Sequence, residues 1–176
     1  MIYELKTGVL RREERGESLA RIKGGLGGPA RQILTPGGTV LLRTDILRLE
    51  APRGREGDLR YTRYRMYGAD GGVYAEGAPG YAPEEDPERM GWPVCRMPRA
   101  DRIALTAGEA RYTLYMDSGS LYRMEEEGAG CRMRMVHRGV AGGWRLECEP
   151  ALPACFLCGL FLFCRYLEGE NQFRVV

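Results

Sequence analysis

Residues 151–164 read ALPACFLCGLFLFC, an uncharged run in a chain that is 28% charged and has a mean hydropathy of −0.37. Pro153 suits the first turn of a helix, where its missing N–H costs nothing. The residues from Ala154 to Leu167 support that helix, Arg165 sits near its negative end, and Gly169 offers a cap. The sequence predicts a helix over 154–167 and a short closing strand over 172–176.

Such a segment has three readings. As a C-terminal membrane anchor it falls short: fourteen residues span about 21 Å, against about 30 Å of hydrocarbon. As a metal or redox site, Cys155-x-x-Cys158 with Cys164 has a suggestive spacing. Structural zinc, however, draws its ligands from polar turns, and a redox pair wants an exposed helix start. Cysteines among Phe and Leu are usually small packing residues, so no metal or other cofactor is expected. The third reading is a core helix. Phe156, Leu157, Leu160, Phe161, Leu162 and Phe163 would each contribute about 2 kcal/mol on burial. A helix apolar all round must be surrounded. A flat sheet covers one face of it, whereas a closed barrel covers them all.

The upstream chain supplies strands for such a barrel. Twenty-five Gly and ten Pro are spread along it, which implies many turns and short strands. Tyr3–Leu10 reads as a first strand and Glu17–Lys23 as its partner. A Gly-rich run over 24–29 breaks regular structure. Three hairpin phrases follow, over 33–42, 66–74 and 114–124, each an apolar strand, a turn with Gly and Asp or Pro, and a second apolar strand. Arg99–Thr106 and Glu109–Met116 form another pair. Cys131, Met133 and Met135 alternate with arginines, and Trp144, Leu146 and Cys148 alternate with charged residues. Both read as one-sided strands. The segment 78–98 breaks this rhythm with prolines and the cluster Glu84-Glu85-Asp86. It predicts a long surface loop within a single domain spanning 1–176.

Composition narrows the function. A net charge of +2 gives no reason to expect nucleic acid as a partner. All 26 basic residues except Lys6 and Lys23 are Arg. The first residues, MIYELKTGVLRREE, contain no uninterrupted apolar run of the signal-peptide kind, so the cytoplasm is the expected compartment and the six cysteines are expected as thiols. His137 is the one histidine and has no visible partner. No Gly-x-Ser-x-Gly, phosphate-cradling loop or paired carboxylates point to an enzyme.

The hairpin phrases at 33–42, 66–74 and 114–124, followed by the apolar helix at 154–167, resemble the tubby C-terminal-like superfamily. That group includes tubby proteins, phospholipid scramblases and LURP-one-related proteins, whose small bacterial type is nearest in length. The resemblance implies a mainly β fold: a closed antiparallel barrel of about twelve strands around a central hydrophobic C-terminal helix. It also implies a non-enzymatic binding module, associated with anionic phospholipid or peripherally with a membrane surface. The residues named for headgroup binding are Arg21 and Lys23, with Arg60, Arg63 and Arg65 on the strand that follows. No match to a scramblase calcium segment is present. A protein-interaction or scaffold role, using the 78–98 loop to meet a protein partner, is the alternative.

Overall fold

In the computed structural model, which describes residues 1–24, 29–90, 98–139 and 142–171, the chain forms a closed antiparallel barrel. Its strands are β1 (Ile2–Lys6), β2 (Val9–Arg12), β3 (Ser18–Gly24), β4 (Arg31–Leu34), β5 (Val40–Arg48) and β6 (Thr62–Gly68). They continue as β7 (Val73–Tyr81), β8 (Ala100–Ala107), β9 (Ala110–Ser118), β10 (Leu121–Glu126), β11 (Gly130–His137) and β12 (Trp144–Cys148). Each strand pairs with its neighbours in sequence, and β1 closes the ring on β12 with Tyr3 opposite Leu146. Closure removes the free edges that an open sheet of this size would expose.

The hairpins at 33–42, 66–74 and 114–124 are β4–β5, β6–β7 and β9–β10. The strand expected over Tyr3–Leu10 is two. Lys6 pairs with Val9 around Thr7 (φ 48°) and Gly8 (φ 75°). Two successive positive φ values make the tight turn that matches strand twist, and a Thr-Gly pair is a weak signal for it.

The segment 78–98 is also less loop than its prolines suggest. Ala78–Tyr81 completes β7, with Pro79 opposite Ile103 of β8. A 3-10 turn at Pro83–Glu85 and a single helical turn, α1 (Pro87–Met90), follow. Residues 91–97 lie outside the described residues, as do most of the Gly-rich run and the strand expected over 172–176.

Helix α2 (Ala154–Asn171) runs through the barrel. It is one turn longer than expected, and Gly169 lies inside it rather than capping it. Phe156, Leu157, Leu160, Leu162 and Phe163 are buried against inward residues of the wall such as Tyr64, Met66 and Ile103. Phe161 is the exception among the six core positions, being only half-buried. The helix leans towards β3–β6 and β8, leaving its Phe161 side partly open. Gly77 and Gly159 set how closely helix and wall approach. A β-carbon at Gly77 would lie 2.7 Å from Ile103 and 3.2 Å from the Phe163 ring, and one at Gly159 would lie 2.5 Å from the Met66 sulfur.

The cysteines fit the packing reading. Cys148, Cys158 and Cys164 are buried, Cys155 is half-buried, and each is a free thiol. Burial pushes the Cys158 thiol up to about 12 and Cys164 well above its ordinary value. Cys131, expected on the apolar face with Met133 and Met135, is exposed, because β11 begins at Gly130 and the register on β10 shifts at Met124/Glu125. No helix among the described residues is long and apolar enough to cross a membrane.

Candidate functional site

The five basic residues singled out from the sequence fall into two groups that the fold treats in opposite ways. Arg60 lies in a 3-10 turn at Leu59–Tyr61, not on the strand. Its guanidinium donates to the Asp58 carboxylate from Nη2 at 2.6 Å and from Nε at 3.0 and 3.1 Å, and to Glu88 from Nη1 at 2.6 Å. Asp58 is 2% exposed and also accepts from the Tyr81 hydroxyl at 3.2 Å. Burial works to raise the Asp58 pKa, but the hydrogen bonds and charge of Arg60 outweigh it and hold the carboxyl below its ordinary value. The same burial pushes Tyr81 up to about 12.

Arg63 and Arg65 do lie on β6 and share its outer face, since Thr62, Tyr64 and Met66 point inward. Both meet Glu76 of β7, Arg65 at 2.5 Å and Arg63 at 3.8 Å, and Arg63 also donates to the carbonyls of Arg60 and Thr62. Arg60, Arg63 and Arg65 thus each meet a carboxylate of this chain, and Arg60 lies off the strand that carries the other two.

Arg21 and Lys23 stand otherwise. They are exposed on the outer face of β3, on either side of the half-buried Ile22. Arg21 lies opposite Val9 of β2 and Leu34 of β4. Lys23 lies opposite Gln32, which in turn lies opposite Arg43 of β5. No acidic residue occupies any of these facing positions. Alternate residues on a strand are about 6.6 Å apart and neighbouring strands about 4.8 Å, so Arg21, Lys23 and Arg43 form a triangle about 7–12 Å on a side. Among the described residues none of the three makes a side-chain hydrogen bond or ion pair.

Arg43 escaped the sequence reading for a reason of register. It faces Lys23 across Gln32 only because the β4–β5 pairing shifts by one residue between Ile33 and Leu34. A hairpin counted back from its turn without that bulge puts Arg43 elsewhere. Asp58 was missed because a carboxylate in a loop gives no sign that it will be buried.

No catalytic group is assembled around His137. Its ring lies 4.9 Å from that of Trp144, and among the described residues no carboxylate bonds to it. Among the described residues no set of three His, Cys, Asp or Glu side chains is placed to hold a metal ion.

The barrel has a solved counterpart. An X-ray structure of an Arabidopsis thaliana protein superposes with a TM-score of 0.57, covering 97% of this chain and 90% of that one at 12% sequence identity. At that identity the likeness is one of fold. No family model matches the chain, and no curated protein matches it.

Proposed function

We propose that this protein is a non-enzymatic binding module that holds an anionic phospholipid headgroup at a membrane surface on the outer face of β3–β5. The observation that carries this reading is the triangle of Arg21, Lys23 and Arg43, exposed and, among the described residues, without an ion pair, on a barrel where many other arginines are paired. Arg48, Arg60, Arg65, Arg102, Arg123, Arg132, Arg138 and Arg145 each pair with an acidic side chain. Cations left unpaired near one another create a local positive potential even at low net charge, and juxtamembrane basic residues are each worth about 1 kcal/mol against an anionic leaflet. A barrel around a C-terminal helix is the architecture that the resemblance to the tubby-like group implies, and it supports the same reading.

Flotation with phosphatidylcholine vesicles, with and without phosphatidylserine, tests it. The protein is expected to float with the anionic vesicles at low salt and to be released as salt rises. Replacing Arg21, Lys23 and Arg43 by Ala should abolish flotation, whereas Arg63→Ala with Arg65→Ala should not. Absence of flotation at low salt, or flotation unchanged in the triple variant, overturns the proposal.

A further inference from the structure

Helix α2 does not fill the barrel evenly, and the space it leaves is chemically distinctive. Because it leans towards β3–β6 and β8, an open cleft of about 660 Å³ lies at one mouth, between its Phe161–Arg165 face, the β1–β2 turn, Gly119, the end of β11 and the start of β12. Phe161 and Arg165 are one helical turn apart and share this face, the first half-buried and the second exposed, whereas Leu160, Leu162, Phe163 and Cys164 between and around them are buried.

One wall is aromatic. Trp144, 8% exposed, stands edge-on to Phe161, with ring centroids 5.6 Å apart, and is stacked on the buried Tyr122 at 4.9 Å and 14°. His137 tilts against the same indole at 4.9 Å and 53°. Among the described residues the charged groups on the lining are Lys6 and Arg165, beside the imidazole of His137, with no Asp or Glu. Lys6 and the His137 ring have no side-chain hydrogen bond or ion pair among the described residues. Arg165 pairs with Glu168, which also accepts from the Tyr122 hydroxyl.

We infer that this cleft is a binding site for a small organic anion with a flat aromatic body, the body lying against Trp144 and Phe161 and the acidic group meeting Lys6, His137 and Arg165. An aromatic body replaces the water over an apolar wall, and an anion supplies the charge the lining lacks. This site is separate from the outer triangle of Arg21, Lys23 and Arg43.

The single histidine makes the test direct, since its ring signals in a proton NMR spectrum belong to one residue. 2-Naphthoate is the probe and the neutral 2-naphthamide its control. Saturable movement of the His137 signals by naphthoate is expected, with the amide binding about tenfold or more weakly. Lys6→Glu combined with Arg165→Ala should weaken naphthoate by about tenfold or more, and the Arg21/Lys23/Arg43 triple variant should bind it as the native protein does. The inference is overturned if the His137 signals stay fixed up to about 10 mM naphthoate, well beyond the weak end of specific binding. Equal binding of acid and amide by the native protein overturns it too, and that comparison needs no folded variant.

Discussion

Met66 of β6 occupies the space that a side chain at Gly159 of α2 would need: a β-carbon there would lie 2.5 Å from its sulfur and 2.6 Å from its methyl. Both residues are fully enclosed, Met66 at 0% exposure, so the flexible end of the methionine has little room to swing aside. Gly159→Leu is therefore expected to destabilise the protein by about 1–3 kcal/mol, the range for overpacked cores. Gly169, in the same helix, has nothing within 4 Å of its missing β-carbon, and Gly169→Ala should be stabilising by up to about 1 kcal/mol through helix propensity. Urea denaturation of the two variants checks the contrast, and equal effects would refute the enclosed-helix account.

Asp58 should make the barrel acid-sensitive. Its folded carboxyl titrates below the ordinary 3.8 because Arg60 binds the charged form. A depressed carboxyl contributes stability that is complete above the ordinary value and is lost as pH falls through the depressed one. Asp58→Ala leaves Arg60 and the Tyr81 hydroxyl without that partner. A cost of about 3 kcal/mol at pH 7 is expected, the low end for a broken buried pair because Arg60 is one-third exposed. Thermal melts between pH 2.5 and 7 should show a native protein that loses stability below pH 4 and a variant with a flatter profile.

The thiols should separate by burial. Cys158 and Cys164 are enclosed in α2 with raised pKa values, whereas Cys131 is at the surface. The thiolate is the reactive species, so iodoacetamide at pH 8 should modify Cys131 in the native protein and reach Cys158 and Cys164 only after unfolding. Peptide mass spectrometry reads this directly. Rapid native labelling of Cys158 would contradict the buried-helix arrangement.

Tyr166 ties the upper half of α2 to the wall. Its hydroxyl shares a 2.7 Å hydrogen bond with the buried Thr44 of β5 and donates to the carbonyl of Pro29 at 2.6 Å. Tyr166→Phe removes the partner of both groups and should cost about 1–3 kcal/mol, the penalty for stranding buried polar atoms. Thr44→Val, which leaves the Pro29 contact in place, should cost about 1 kcal/mol. Chemical denaturation of the single and double variants would show whether the two losses are coupled.

Much of the architecture was legible in the residues. The uncharged run at 151–164 is too short for a membrane and too apolar for a surface, which leaves a core helix. The Gly-punctuated alternation upstream supplies the one-sided strands to enclose it. The boundaries were less visible. The Thr7-Gly8 turn resembles the continuous strand around it, and the α2 terminus runs past Leu167 because Tyr122 and Arg48 from the wall hold Glu168 and Glu170 in helix.

The sequence by itself determined that this chain closes a barrel around its C-terminal helix, because periodicity and burial are properties of neighbours along the chain. Which charges are free is a property of neighbours across the sheet. Arg65 and Arg21 are both outward arginines on alternating strands. β7 places Glu76 opposite the first, while Val9 and Leu34 flank the second. Strand register, a bulge at Ile33/Leu34 and the lean of α2 assign those partners, and only the folded barrel contains them.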